Sequence, residues 1–225
     1  DMTTRRWGSE QVRSYGGAAP DLDGDGYPDL VIVNEISEDV RVFMNDADGA
    51  ATFTSHIKTP YQTNTTSSPS ETGDFNRDGH PDMCISNVSA DTVSILLGNG
   101  DGSFGPQQEV AVGEGPYGIT VIDRDGDGDQ DIVLANRDAD HVSVLDNDGA
   151  GFFTLDHTFL GGGDYERVAW AADMDEDGIL DIVVGTQDSN RVIVHKGNGD
   201  GTFSWLADQD CGGPVRTLVC GDLNG

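Results

Sequence analysis

The sequence predicts an all-β fold, a β-propeller of four-stranded blades, and three observations lead to this prediction. An acidic nine-residue motif recurs along the 225 residues, an apolar segment of strand length follows each complete copy, and glycine-rich turns separate the segments. Glycine is frequent, at 31 residues, whereas proline is ordinary at 8. Many glycines without a low-complexity tract indicate many tight turns, as in all-β proteins.

The acidic motif follows the pattern D-x-[DN]-x-D-G-x-x-D in four complete copies and one truncated copy. The copies begin at Asp21, Asp74, Asp123, Asp173 and Asp222. Successive starts lie 53, 49, 50 and 49 residues apart. A spacing this regular is typical of a structural repeat and is not expected of unrelated turns in an ordinary all-β domain.

Each repeat is predicted to contain four strands. The motif leads directly into an apolar segment, at residues 30–33, 83–85, 132–134 and 182–184. An alternating segment follows, at residues 40–43, 93–96, 142–145 and 192–194. A Gly/Asn/Asp turn comes next and then a phenylalanine, at Phe53, Phe104, Phe153 and Phe203. One more strand precedes each motif, as at residues 117–122 and 168–172. Four strands in a period near fifty residues narrow the all-β class to a propeller.

The whole chain is interpreted as one partial propeller over residues 1–225. Its repeats start near residues 16, 69, 118 and 168, and a truncated fifth covers residues 215–225. An open arc of blades would leave bare sheet edges, so we expect a fragment of a longer propeller. The alternative is a closed five-bladed form in which residues 7–15 and 215–220 share one blade. Residues 62–70, rich in Asn, Thr and Ser, are expected to form a loop.

The charge of the chain limits its partners. The formal net charge is -29, from 41 acidic and 12 basic residues. A chain this acidic repels nucleic acid and anionic membranes, and no apolar run reaches the roughly 18 residues needed to cross a bilayer. Lysine occurs only at Lys58 and Lys196, so adaptation to salt stays open as a further cause of the acidity.

The motif has the donor pattern of a calcium loop. Calcium takes six to eight oxygens, and carboxylates at alternating positions of a tight loop point several oxygens into one cavity. A glycine at position six permits the sharp turn, position seven offers its backbone carbonyl, and the ninth-position Asp can bind through both oxygens. An EF-hand is excluded because position twelve carries an aliphatic residue instead of Glu, at Ile32, Ile85, Leu134 and Val184.

About four calcium sites are therefore predicted. Their candidate ligands are Asp21, Asp23, Asp25, Tyr27, Asp29, Asp74, Asn76, Asp78, His80, Asp82, Asp123, Asp125, Asp127, Asp129, Asp131, Asp173, Asp175, Asp177, Ile179 and Asp181. The second loop is expected to bind more weakly, because Asn76 replaces an acid and Arg77 lies beside it. Magnesium is a weaker candidate, because it prefers a smaller octahedral shell rich in water.

These features resemble the FG-GAP / VCBS repeat family, whose relatives form the β-propeller of integrin α subunits. The resemblance rests on the acidic loops, the apolar strand behind each, and the Gly-Asn-Gly-Asp-Gly-(Ser/Thr)-Phe turns at residues 98–104 and 197–203. It implies a seven-bladed propeller as the commonest form and the same calcium-ligand roles at the motif positions. It also implies an extracellular, secreted or cell-surface setting, with the periplasm as another possibility.

The function expected from this resemblance is adhesion or the binding of a protein or glycan ligand. The alternatives are the propeller part of a polysaccharide-degrading lyase or hydrolase, and a structural spacer in a large surface protein. No G-x-S-x-G or H-E-x-x-H motif is present, which favours a non-enzyme.

Aromatic residues of the inter-blade segments could contact such a ligand or pack between blades. They are Tyr61, Tyr117, Tyr165, Trp170 and Trp205. We expect packing between blades, and for Trp170 a place in the core. Among the three cysteines, Cys211 and Cys220 could close a short disulfide loop.

Overall fold

The computed structural model describes residues 14–35, 37–55, 61–62 and 67–221. In these ranges the regular elements are all β-strands, which confirms the all-β prediction. The described residues include no helix long and apolar enough to span a bilayer.

The strands form four antiparallel sheets, one for each complete repeat, which confirms the propeller architecture. Blade 1 consists of β1 (Ser14–Ala18), β2 (Leu30–Asn34), β3 (Asp39–Asn45) and β4 (Phe53–Ser55), with β5 (Tyr61–Gln62) also paired to β3. Blade 2 consists of β6 (Ser67–Gly73), β7 (Asp82–Asn87), β8 (Thr92–Leu96) and β9 (Gln108–Ala111). Blade 3 consists of β10 (Pro116–Ile122), β11 (Asp131–Asn136), β12 (His141–Asn147) and β13 (Phe153–Leu160). Blade 4 consists of β14 (Glu166–Ala172), β15 (Asp181–Thr186), β16 (Arg191–Gly197) and β17 (Phe203–Asp210).

The prediction of a loop over residues 62–70 is only partly correct. Residues 67–70 belong to β6, whose backbone pairs with β7, and residue 62 ends β5. Residues 63–66 lie outside the described residues, as do residues 7–13 and the truncated motif at 222–225. The turn-forming side chains favoured a loop there, but backbone pairing with an apolar neighbour strand decides the conformation of 67–70.

The hydrophobic core lies between successive blades. One cluster joins Leu22 and Val31 of blade 1 to Met83 of blade 2, and a second packs Phe75 of blade 2 against Phe153 of blade 3. A third joins blades 3 and 4. Every residue of β7, β11 and β15 is buried. Blades 2 and 3 are covered by a blade on each face, whereas blade 4 packs against blade 3 on one face and has Val215 and Leu218 against Gly185 of β15. This explains why the segment behind each motif is continuously apolar and does not alternate.

The first strands of successive blades approach each other closely and line the central axis of the arc. β10 contacts both β6 and β14, and β1 contacts β6. A Cβ added at Gly118 in β10 would lie 2.6 Å from Cα of Val168 and 2.5 Å from the backbone nitrogen of Ala169 in β14. A glycine is therefore required at this crossing.

Residues 215–221 continue past blade 4 without forming a strand in the described part of the chain. They begin on blade 4, where the backbone N–H of Val215 donates to the carbonyl oxygen of Thr186 at 3.1 Å. Cys84, Cys211 and Cys220 are all free thiols, and Cys84 is buried.

Candidate metal sites

Each acidic motif forms the connection between the first and second strands of its blade. Because these four connections are equivalent, the loops 21–29, 74–82, 123–131 and 173–181 lie at the same end of the sheets. The glycine at position six has a left-handed backbone in each loop, with φ of 88° at Gly26, 83° at Gly79, 88° at Gly128 and 87° at Gly178. This agrees with the sharp turn expected there.

The first-position Asp fixes the shape of its loop. In the first loop, the backbone N–H of Asp25 donates to Oδ1 of Asp21 at 3.1 Å, and that of Gly26 donates to Oδ2 at 2.8 Å. The second and fourth loops repeat both bonds through Asp74 and Asp173. The loop thus closes around its own carboxylates, which holds several oxygens near one point before any cation binds.

Three of the four loops bring three carboxylates together. Within each group, one oxygen per residue lies within 4.8 Å of the others, and the groups are Asp21, Asp23 and Asp29; Asp123, Asp125 and Asp127; Asp173, Asp175 and Asp181. Oxygens bound to one calcium at about 2.3–2.6 Å are at most about 5 Å apart, so these groups fit a calcium shell. The geometry does not bring Asp25, Asp131 or Asp177 into its loop's group of three.

The second loop has no such group of acids among the described residues. Its third position is Asn76, whose side-chain nitrogen donates to Asp78 at 2.9 Å. An amide supplies one neutral oxygen in place of a carboxylate, so this loop attracts a divalent cation less strongly.

The ninth-position Asp has a role that the sequence did not reveal. In the first loop, Oδ2 of Asp29 accepts the backbone N–H of Leu22 at 2.8 Å, and Oδ1 accepts that of Asn45 at 2.8 Å. Asp82, Asp131 and Asp181 make the same pair of bonds to their own blades. This carboxylate connects the loop to the end of the third strand through both of its oxygens. Metal binding through two oxygens, as expected from the sequence, would therefore require each oxygen to accept a backbone N–H and bind the cation as well.

At Asp82 and Asp131, burial makes the ninth-position carboxylate costly to keep ionised. Asp131 is 2% exposed, and burial raises its pKa to about 6. Burial also raises the pKa of Asp82, with the nearby carboxylates of Asp78 and Asp74 adding to the effect. A bound cation would offset this penalty, because it favours the charged form of every nearby carboxylate.

In the second, third and fourth loops the seventh-position side chain packs against the hairpin of its own blade. A Cβ added at Gly100 would meet the His80 ring, and one added at Gly199 would meet Ile179 at 3.1 Å. Asp129 lies against Gly149 in the same way. Tyr27 of the first loop is 44% exposed. These contacts suit the expectation that position seven contributes its backbone rather than its side chain.

Two loops carry a protein cation beside their carboxylates, which the sequence analysis did not predict. Arg77, from the second loop, contacts the carboxylate of Asp129 in the third and donates to the carbonyl oxygen of Asp127 at 3.3 Å. In the fourth loop, Nζ of Lys196 contacts both Asp175 and Asp177 and lowers the pKa of Asp177. The chain contains two lysines, and the rarity of lysine is the sequence feature that could have drawn attention to Lys196.

Comparisons with known proteins agree with this fold. The model of the FG-GAP-like repeat matches residues 21–85, 74–134, 123–184 and 173–225. No curated protein matches the sequence significantly.

Three similar solved structures share the fold at low sequence identity. A periplasmic gluconolactonase of Pseudomonas aeruginosa is 16% identical with a TM-score of 0.69, over 90% of this chain and 55% of that chain. A protein of unknown function from Desulfotomaculum acetoxidans is 16% identical with a TM-score of 0.63, over 88% and 56%. A lectin of Agrocybe aegerita, described as recognising non-reducing terminal N-acetylglucosamine, is 20% identical with a TM-score of 0.57, over 85% and 50%.

The chain thus spans about half the length of the solved structures it matches. Matches of the family model reach from residue 21 to residue 225, so the chain belongs to the family of FG-GAP-like repeat proteins.

Proposed function

We propose that this chain is a calcium-stabilised propeller module that binds a protein or glycan ligand outside the cytoplasm. One observation carries the calcium part of the proposal: three loops at the same end of the blades each place three carboxylate oxygens within 4.8 Å. Without a cation such groups repel one another, so a divalent ion would stabilise the folded chain.

Calcium suits these loops better than magnesium. The donors are carboxylates on short flexible turns, and calcium accepts irregular shells of six to eight oxygens. Extracellular calcium modules work at dissociation constants of about 0.1–1 mM, a concentration found outside cells and not in the cytosol. A secreted, cell-surface or periplasmic setting follows from that requirement.

The ligand-binding part of the proposal draws on the fold and its neighbours. Propellers present loops at both ends of their blades around a central axis, and ligand sites are built where such loops converge. One similar structure is that of a lectin. Another is that of a gluconolactonase, which shares the same fold.

The proposal is tested on an array of glycans and extracellular matrix proteins, probed with the folded chain in calcium and in EDTA. Reproducible binding in calcium and its loss in EDTA are expected. The matched control is a chain with Asp21, Asp123 and Asp173 changed to Asn, which should bind as poorly in calcium as the original does in EDTA. Absence of any ligand for a calcium-loaded, folded chain would contradict the binding role and favour a structural spacer.

A further inference from the structure

The first strand of each blade contains a β-bulge at the same repeat position. In blade 3, Pro116 pairs with Asn136 and Gly118 with Ala135, so Tyr117 has no partner residue in β11. In blade 4, Glu166 pairs with Thr186 and Val168 with Gly185, which leaves Arg167 as the extra residue. The register shifts in β1 and β6 are at the corresponding place. Bulges redirect side chains, and here they do so beside the central axis.

The bulged residues of blades 3 and 4, Tyr117 and Arg167, line one cavity of about 240 Å³. Its walls come from the first strands of blades 2, 3 and 4 and from residues 216–218. Tyr117 and Arg167 each precede the first Asp of their loop by six residues, and so does Arg216. The cavity is therefore built from the same repeat position in successive repeats. Trp170 also lines it and is 37% exposed, so its expected place in the core was wrong.

Arg167 is held in a fixed orientation against Tyr117. Its guanidinium carbon lies 4.5 Å from the centre of the Tyr117 ring. Nη2 donates to the Tyr117 hydroxyl oxygen at 3.1 Å, and Nη1 donates to Oε1 of Gln187 at 3.2 Å. A planar guanidinium fixed by stacking and hydrogen bonds loses little further freedom when it binds an anion.

A second arginine, Arg137, also contacts the Tyr117 ring. The guanidinium carbon of Arg137 lies 5.8 Å from the Tyr117 ring centre and 5.1 Å from that of Tyr165. Its charge is matched by Asp138, which accepts from Nη2 at 2.7 Å and from Nε at 3.0 Å. Arg137 is therefore a positioning residue for the tyrosines, and among the described residues Arg167 and Arg216 are the arginines that line the cavity.

The charge of this cavity is opposite to that of the chain. The chain has 41 acidic and 12 basic residues, yet the described residues that line the cavity include two arginines and one acid, Glu71. Arginine binds carboxylates through two parallel hydrogen bonds. The acidity of the remaining surface disfavours a polyanion, so the cavity suits a ligand with a single carboxylate. Tyr117 and Trp170 add aromatic surface of the kind that packs against a ring.

We propose that this cavity binds a carboxylate-bearing sugar, a uronic acid alone or at the end of a glycan. Arg167 and Arg216 would bind the carboxylate, and Trp170 and Tyr117 would pack against the sugar ring. This inference rests on the proposed function, because it names the ligand class of the same binding module. It is independent of the metal loops, none of whose residues lines the cavity.

The test is titration calorimetry of the calcium-loaded chain with glucuronic acid, glucose and acetate. Glucuronic acid should bind at least tenfold more tightly than glucose, which lacks the carboxylate, and than acetate, which lacks the ring. The variants Arg167→Gln and Arg216→Gln should each weaken glucuronic acid at least tenfold. Arg216 is exposed, so its replacement leaves the fold intact even if Arg167→Gln impairs folding.

The matched control is Arg191→Gln, because Arg191 pairs with Asp208 on the outer strands, away from the cavity. It should leave the affinity for glucuronic acid unchanged. Equal binding of glucose and glucuronic acid, or binding that survives both cavity variants, would overturn the inference. So would tight binding of acetate or of an acidic peptide in place of the sugar. If the array shows a calcium-dependent ligand and glucuronic acid does not bind, the inference fails while the proposed function stands.

Discussion

The guanidinium group of Arg124 donates a hydrogen bond to the carbonyl oxygen of Gly201 at 3.1 Å and so joins the third loop to the hairpin of blade 4. Arg124 is 8% exposed and also pairs with Asp131, Asp146 and Asp156. The second position of the motif thus forms a contact between blades. In the first two blades an apolar side chain does the same, at Leu22 and Phe75.

Replacement of Arg124 by Ala should destabilise the chain more than any surface ion-pair change. It leaves Asp131 buried without its cation, and loss of one partner of a buried pair costs about 3–5 kcal/mol. We expect the lower end of that range, because Asp146 and Asp156 are half-exposed. Urea unfolding in calcium measures the loss. Arg191→Gln is the exposed control, expected to change the free energy of unfolding by about 1 kcal/mol or less, and an equal effect of the two changes would contradict the assignment.

Lys196 should weaken calcium binding at the fourth loop, because its ammonium group forms ion pairs with Asp175 and Asp177 and so competes with calcium for their carboxylates. Blade 1 has Met44 at the equivalent position, 23 residues after the first Asp. Lys196→Met should therefore strengthen calcium binding at that loop about tenfold, roughly 1.4 kcal/mol. The reciprocal change, Met44→Lys, should weaken the first loop. Calorimetry with both variants measures this, and unchanged affinities would show that Lys196 moves aside without cost.

The second loop should gain affinity when Asn76 becomes Asp. The change adds a carboxylate and completes the pattern of three acids that the first loop has in Asp21, Asp23 and Asp29. We expect about a tenfold tighter calcium site, since added negative charge strengthens the attraction for a divalent ion. Asn99→Asp, on the exposed hairpin of the same blade, adds the same charge outside the loop and should have a much smaller effect. Similar gains from both changes would indicate a general effect of charge and not a ligand.

Glu166 should make the stability of the chain fall as pH rises. It is 0% exposed, and burial raises its pKa from an ordinary 4.5 to about 7. The folded chain then holds this proton to a higher pH than the unfolded chain, so stability decreases between pH 4.5 and about 7 and levels off above. Glu166→Gln removes this component. The gain in melting temperature of the variant over the original chain should be larger at pH 8 than at pH 5, and an equal gain at both would contradict it.

The repeat made the blades predictable from the sequence. The strands behind each motif, the glycine at position six and the clustering of carboxylates are local properties, fixed within about fifteen residues of chain. Because the pattern recurs in every repeat, an error in assigning the strands of one copy is corrected by comparison with the other copies.

Contacts between blades could not be predicted from local patterns, because they join residues fifty or more positions apart in the sequence. Arg77 meets Asp129 in the next loop, and Arg124 meets the carbonyl of Gly201. Trp170 is 37% exposed and lies three residues beyond the bulge of β14, a bulge that no local sequence pattern indicates. The hydrogen bonds from backbone N–H groups to Asp29 were not predicted, because its position in a metal-binding motif indicated only a role as a metal ligand.

Calcium binding by the acidic loops is tested most directly by titration calorimetry of the EDTA-treated, desalted chain, combined with thermal melts in calcium and in EDTA. The loops predict binding of about four ions, the second and fourth sites being the weaker, and a melting temperature higher in calcium by several degrees or more. Magnesium should substitute poorly. No heat of binding together with the same melting temperature in calcium and in EDTA would contradict the account, and the acidic loops would then be better explained by adaptation to salt.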